Sequence, residues 1–340
     1  DGISPDVRDI FPICDDNDIF VYLHCLYAVG GDTGISILKS ETDEKYSINS
    51  CVFDGRYIWM MMTKYNKVII LNLDGEILYT VTQKDGLPEN FTGKLLALEK
   101  GKVLVSANLP DKRSFLAIVM FDGNMLSFDI FHKGFLREMR DASGMDSNGE
   151  NNTLLRANTA CLLKVDQYRR YVYIDSSFSL VRENPVRINP DTKKIEEIEI
   201  NQEQRKFLFQ YNFCTINNTR YTTSESGNLV IVGFDEITGG LSLKKELVKI
   251  PVAGWRIAKL VPYGEKILIL SSKGWYQYDL QTQNLEVLFS EEDIRKAPYT
   301  FWCRYMKLYH SQSLGYIVGA RFHGKEGLYS LKIDNSQGSK

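Results

Sequence analysis

The chain has 340 residues, a formal net charge of −2 and 25% charged residues, a balance that excludes a bulk electrostatic drive toward nucleic acid. With 44% hydrophobic and 12% aromatic residues it can bury a sizeable core. No apolar run approaches the ~18 residues that cross a bilayer as a helix, so no membrane span is expected. The chain begins at Asp1 without an initiator methionine or a leader pattern, and it is read as a mature or trimmed form.

Taken in order, the chain reads as a series of short apolar runs punctuated by turn residues. Residues 7–48 give VRDIFPI, DIFVYLHCLYAV, GISILKS and KYSIN. Residues 48–86 give a clearer unit. Tyr57 to Met62 is apolar and aromatic-rich, and Asp54-Gly55 precedes it. Val68 to Leu71 follows, then the turn Asn72-Leu73-Asp74-Gly75, then the alternating run Glu76 to Val81. Asp-Gly links favour hairpins because glycine accepts positive φ. The unit is an antiparallel meander whose central strands are apolar on both faces and whose last strand is apolar on one. That gradient suits a propeller blade, with inner strands between neighbours and the outer strand wet.

The remaining units cover 94–133, 157–200, 206–250, 255–290 and 301–334. Asp122-Gly123 sits where Asp74-Gly75 does, and Asp235 and Asp279 each precede an outer strand. Glu291–Ala297 holds helix formers and is predicted as a short helix. Residues 134–156 lose strand periodicity and are rich in Gly, Asn and Asp. They are predicted as an inserted loop. The expected fold is all-β, a single seven-bladed β-propeller over 1–340; six or eight blades also fit the irregular spacing. A pair of β-sandwiches is the alternative, but no linker or composition shift divides the chain.

The stretch 50–90 resembles the propeller repeats of sensor regions in two-component regulators. Gly55 and Trp59 match a glycine before a strand tryptophan, and Asp85, Gly86, Leu87, Pro88 and Asn90 match a DGLP-N loop leading to the next blade. Fainter copies lie at 273–289 and 326–334, so about a third of the chain carries the likeness. The resemblance implies a sensing or binding propeller outside the cytoplasm. The chain departs from such sensors in showing no transmembrane helix, no kinase region and one propeller where they usually carry more.

Motifs that carry chemistry do not appear. There is no HExxH, G-x-S-x-G, GxxxxGK[ST] or GxGxxG. The acidic runs at 15–18 and 146–150 lack the spacing of the helical calcium loop. The sialidase-type turn motif is missed, although Asp54 and Trp59 have its separation. The histidines, His24, His132, His310 and His323, are scattered, and neither a metal nor a cofactor is expected. The cysteines, Cys14, Cys25, Cys51, Cys161, Cys214 and Cys303, form no CxxC pair. All but Cys25 fall in predicted first strands, where a small buried side chain packs well; an even count also permits disulfides. Triplets at Asn90, Asn151 and Asn217 fit the glycosylation acceptor.

One arrangement points to a ligand. In a propeller the loops between second and third strands share a face. That register places Lys64, Arg113, Lys273, Arg321 and His323 on such loops, with Trp302 and Arg304 deeper at the channel mouth. A circle of cations over a low-dielectric channel would attract an anionic small molecule, a glycan or an acidic protein partner. The role expected is a monomeric, non-catalytic ligand- or protein-binding and sensing module that is secreted, periplasmic or on the cell surface. One rival is a hydrolase or lyase acting on a carbohydrate-like polar substrate at the mouth, which needs converging acids with shifted pKa values. Another is an intracellular scaffold, which free thiols would favour.

Overall fold

A computed structural model of the chain describes residues 11–14, 19–22, 25–30, 34–37, 48–111, 113–134, 162–165, 172–175, 186–197, 214–224, 226–234, 241–252, 257–271, 273–296, 299–300, 308–311, 314–322 and 325–331. The described residues form seven antiparallel sheets, taken up one after another along the chain. The first holds β1 (Phe11–Cys14), β2 (Ile19–Tyr22), β3 (Cys25–Gly30) and β4 (Gly34–Ile37). The second holds β5 (Ser50–Phe53), β6 (Ile58–Met62), β7 (Lys67–Leu71) and β8 (Ile77–Val81). The third holds β9 (Thr92–Glu99), β10 (Lys102–Asn108), β11 (Ser114–Phe121) and β12 (Leu126–Gly134). The fourth holds β13 (Leu162–Val165), β14 (Val172–Asp175), β15 (Val186–Ile188) and β16 (Ile195–Glu197).

The fifth sheet holds β17 (Cys214–Ile216), β18 (Thr219–Thr223), β19 (Asn228–Phe234) and β20 (Leu241–Lys249). The sixth holds β21 (Ile257–Tyr263), β22 (Lys266–Ser271), β23 (Gly274–Asp279) and β24 (Leu285–Ser290). The predicted short helix follows as α1 (Glu291–Lys296). The seventh holds β25 (Tyr299–Thr300), β26 (Leu308–Ser311), β27 (Gly315–Phe322) and β28 (Lys325–Leu331). In it β25 and β26 pair along one edge of β27, and β28 along the other.

Two compact units organise these sheets. One contains the second, third and fourth sheets. The other contains the first sheet and the last three, save Phe234 and Leu241. In the second unit, Leu229 and Ile250 pack with Ile267, Ile269, Tyr276 and Tyr278 across the fifth and sixth sheets.

In the first unit the apolar gradient along the second sheet has its expected consequence. All of β6 is buried, as are Ile69 and Leu71 of β7, while Glu76 is exposed and β8 is mostly so. Trp59, Met61, Ile70 and Val81 pack against Leu95, Val105, Phe115 and Phe121 of the third sheet. The other face of the third sheet buries Leu96, Leu104, Leu116 and Ile118 with Ile188 of the fourth. A sheet covered on both sides needs apolar residues at successive positions, hence the near-continuous run FLAIVMF. Two polar side chains tie second sheet to third. Ser50 Oγ accepts from the Leu95 N–H at 2.9 Å, and Asp54 Oδ2 accepts from the Gly101 N–H at 3.0 Å.

Turn chemistry repeats more faithfully than sequence spacing suggests. Before the outer strand, one side-chain oxygen accepts two backbone N–H groups: Asn72 from Asp74 and Glu76, Asp122 from Asn124 and Met125, Asn189 from Asp191 and Thr192, Asp279 from Gln281 and Thr282. The residue equivalent to Asp122 is therefore Asn72, not Asp74. These N–H donors, from Met125 and Asn124 and from Thr282 and Gln281, hold the Asp122 and Asp279 carboxyls below the ordinary carboxylate value. A depressed folded pKa gives stability that is present above the unfolded pKa, about 3.9, and lost as pH falls through the folded value. Asp122→Asn and Asp279→Asn keep the acceptor, as Asn72 and Asn189 do. Acid titration of the unfolding midpoint is expected to show a shallower loss for the double variant, with the neutral-pH midpoint nearly unchanged.

Three readings of the sequence need correction. The single run at 18–29 holds two paired antiparallel strands, with Tyr22 opposite Cys25, because its apolar residues continue with no Gly or Pro to mark the break. The run at 94–108 is likewise two strands that meet at Gly101, whose φ of +72° makes the turn. Gly134 ends β12 opposite Ser114 instead of opening an insertion. The rest of the expected insertion, 135–156, lies outside the described residues, as do Cys161, Cys303 and Asp235. Cys51 and Cys214 are buried free thiols in first strands, and burial pushes both up, Cys214 to about 12.

Candidate functional site

A cleft of about 330 Å³ opens on the first unit where the loop after β8 meets the β10–β11 hairpin and the end of β12. Most of its residues come from the DGLPEN stretch and from one of the predicted basic loops, joined by Gln83, Phe115, Ile130 and Lys133. The DGLPEN side is a built structure. Asp85 Oδ2 accepts from the Thr82 N–H at 2.8 Å, and Asp85 Oδ1 accepts from the Tyr79 hydroxyl at 2.9 Å. That hydrogen bond, then burial, pushes the Tyr79 hydroxyl above its ordinary value. Leu87 and Phe91 plug the core between second and third sheets, and the Asn90 N–H donates to Asn66 Oδ1 at 3.0 Å.

Gly86 is where the loop passes closest to the third sheet. Its φ is +120°, and a Cβ would fall 2.9 Å from Phe128 Cδ1. Gly86→Ala is expected to cost about 1–3 kcal/mol through combined strain and clash, read as a lower chemical-denaturation midpoint. An unchanged midpoint would mean that the loop is free to rearrange. Most of the motif is thereby accounted for by loop construction, which leaves Gln83, Pro88 and Glu89 facing the cleft.

The opposite wall is the β10–β11 hairpin. The Leu109 N–H donates to the Arg113 carbonyl at 2.9 Å, which closes the hairpin end and leaves Pro110 and Asp111 exposed. Arg113 Nε donates to Asp111 Oδ2 at 2.7 Å, and a second guanidinium nitrogen bonds the same oxygen. The guanidinium holds the Asp111 carboxyl below its ordinary value and is itself raised. The floor is Leu109 and Phe115, both buried, with Ile130 of β12 at the side, 47% exposed. Lys133, exposed on β12, completes the rim and has no acid partner among the described residues. The cleft thus combines an apolar floor with charge of both signs at its lip. Its lining ring, Phe115, packs against Phe128 and belongs to the core between the second and third sheets.

Of the predicted basic residues, Arg113 lines this cleft and its charge is engaged by Asp111. Lys64 sits in a 3₁₀ turn, Thr63–Tyr65, with Nζ 5.5 Å from the Tyr65 ring centroid, and does not line the cleft. Lys273, in the second unit, pairs with Glu291 at the start of α1. Arg321 lies in β27 opposite Thr300 and Glu326; His323, Trp302 and Arg304 lie outside the described residues. Sequence reasoning missed Asp111, Ile130 and Lys133. The first was findable, since an acid two residues before Arg113 across a Pro-Asp turn is placed to pair with it. Among the described residues no group of His, Cys, Asp and Glu is gathered to hold a metal, and no helix is long and apolar enough to cross a membrane.

No family model matches the chain, and no curated protein does. Solved structures do. The β-propeller domain of Cps50 (Swd1) from Myceliophteria thermophila aligns with a TM-score of 0.54 at 11% identity, over 98% of this chain and 97% of that one. The extracellular domain of a hybrid two component system from B. thetaiotaomicron aligns with a TM-score of 0.50 at 14% identity, over 96% of this chain. The chain spans about two fifths (39%) of that domain. The likeness that residues 50–90 imply to two-component sensor repeats therefore extends to the fold. At these identities it is the fold that the comparisons show: the chain is an all-β propeller.

Proposed function

We propose that the chain is a non-catalytic binding module and that its recognition site is the cleft between the 83–89 loop and the β10–β11 hairpin. The observation that carries this reading is the lining: an apolar floor ringed by Arg113, Lys133, Asp111 and Glu89. A purely anionic ligand would meet two acids at the lip. A polypeptide segment fits better, with an apolar side chain seated on Leu109, Phe115 and Ile130 and an acidic neighbour reaching Lys133. Asp111, which is held ionised and committed to Arg113, is poorly suited to proton transfer, and that favours binding over hydrolase or lyase chemistry.

The same proposal takes the seven sheets as the blades of one propeller domain over 1–340 and the protein as a monomer. It takes from the B. thetaiotaomicron neighbour a location outside the cytoplasm, which labelling of intact cells with a membrane-impermeant reagent would check.

The binding claim is tested with an array of short peptides that pair apolar and acidic residues. Ile130→Asp and Lys133→Glu alter exposed positions, so both variants are expected to fold normally. Each is expected to weaken the selected peptides about tenfold or more, with the Lys133 contribution fading as salt rises. Peptides that bind both variants as tightly as the parent would remove the cleft from the account.

A further inference from the structure

The third sheet carries a second polar feature on the face turned away from the cleft. On that face Leu96, Leu104, Leu116 and Ile118 pack with Ile188 toward one end. At the other end the same alternation presents polar residues. Asn108 stands opposite both Thr92 and Ser114, and Ser114 stands opposite Gly134. One rank inward, Ser106 stands opposite Lys94 and Leu116, and Leu116 opposite His132. Directly opposed residues lie about 5 Å apart and diagonal ones about 7–8 Å, so these side chains share one patch. The His132 ring leans over Gly134: a Cβ there would sit 3.7 Å from His132 Cε1, beside the position facing Ser114.

Four polar atoms of this patch are buried and have no hydrogen-bond partner among the described residues: Ser106 Oγ, Ser114 Oγ, Asn108 Oδ1 and His132 Nε2. Ser106 is 1% exposed and Ser114 is 0% exposed. Folded proteins rarely leave one such group unsatisfied, and four on one patch call for a missing partner. The chemistry of that partner follows from the donors. Two hydroxyls and an imidazole can each donate, and the Asn108 amide can present either end. Neither rank contains an acid. Among the described residues of this sheet the next acid on this face, Asp129, lies one rank further, opposite Ile118, and pairs with Lys193.

We propose that Ser106, Asn108, Ser114 and His132 form a second, buried binding site that takes a small oxyanion of the carboxylate or phosphate class. It is independent of the cleft, which lies on the opposite face of the same sheet. An anion there satisfies the hydroxyls and draws a proton to His132. Burial holds that imidazole below its ordinary value, opposed by a hydrogen bond with the Gly134 backbone, so a bound anion moves it upward.

The test titrates the purified chain separately with sodium acetate and sodium phosphate against sodium chloride at equal ionic strength. Melting temperature and the His132 side-chain NMR signal are followed in the parent, Ser106→Ala and Ser114→Ala. Without added oxyanion, either alanine is expected to leave the melting temperature equal or higher, because it removes a buried hydroxyl that lacks a partner. Added oxyanion is expected to raise the parent melting temperature and the His132 pKa, and both shifts are expected to disappear in the alanine variants. A response to acetate alone assigns a carboxylate, and one to phosphate alone a phosphate. The proposal is overturned if neither anion exceeds chloride, if the shifts persist in both variants, or if glycerol gives the same shifts. It is also overturned if the alanines lower the melting temperature of the anion-free protein, since the hydroxyls would then already be satisfied.

Discussion

Replacing Asp54 with alanine is expected to destabilise the chain by roughly 3–5 kcal/mol, because one buried carboxylate satisfies four N–H donors. Asp54 is 4% exposed. Oδ1 accepts from the Arg56 and Tyr57 N–H groups at 2.7 and 2.8 Å. Oδ2 accepts from Trp59 Nε1 at 2.5 Å and from the Gly101 N–H at 3.0 Å. The first pair shapes the turn between β5 and β6, the indole bond fixes the tryptophan, and the Gly101 bond joins second sheet to third. Alanine leaves all four donors without their acceptor, three of them in buried surroundings. Asp54→Asn is the sharper probe. One amide oxygen can serve one pair of donors, and the amide nitrogen then confronts the other pair. Asparagine is therefore expected to recover little of the loss. Chemical denaturation gives both values, and a loss under about 1 kcal/mol for alanine would show that this node does not join the sheets.

Trp59→Ala is expected to cost a similar amount, roughly 3–5 kcal/mol, for a different reason. The ring is 0% exposed and lies among Tyr57, Met61, Ile70 and Val103 in the core between second and third sheets. Truncation removes the largest fully buried side chain of the described residues and leaves a cavity that surrounding strands, fixed by their ladders, cannot close. Trp59→Phe keeps much of the ring contact but removes the indole donor, so its loss is expected to be intermediate. Because Trp59 Nε1 and Asp54 Oδ2 are partners, the double alanine variant is expected to lose less than the sum of the singles. Strict additivity would mean that the hydrogen bond contributes little.

Much of this fold is legible in residues whose physical roles are local. Tyr57, Trp59, Ile69 and Leu71 read as an interior because apolar residues stand at successive positions, which a strand needs when both its faces are covered. Glu76 and Thr80 read as a wet outer strand because alternation resumes there. Asp54 followed by Trp59 reads only as a failed match to a known turn motif, yet the pair forms a hydrogen bond and joins two sheets. That role depends on Gly101, a partner 47 residues away, and no local pattern displays it. The pairing of two strands within 18–29 is hidden for the opposite reason: no Gly or Pro breaks the run, so the sequence shows no boundary.

The candidate site was legible in part. Asp85 to Asn90 stands out as a motif, but Asp85, Gly86, Leu87 and Asn90, four of its six residues, are explained wholly or partly by how the loop is tied down. Arg113 was selected for its charge, and the structure gives that charge to Asp111. Lys273, selected likewise, is engaged by Glu291. Cations on exposed loops can be counted from sequence, but their local acid partners depend on turn geometry. Ile130 and Lys133 were invisible because a bulge in β12, between the residues opposite Leu116 and Ala117, sets which of its side chains turn toward the cleft.

The central claim, that this propeller binds through the cleft of its first unit, is tested most directly by amide hydrogen exchange with and without a selected peptide at saturating concentration. The account predicts slowed exchange at 83–89, 109–113 and 130–133, with the β17–β24 amides unchanged. Protection centred instead on Lys273 and α1, with the 83–89 loop exchanging as before, would contradict it.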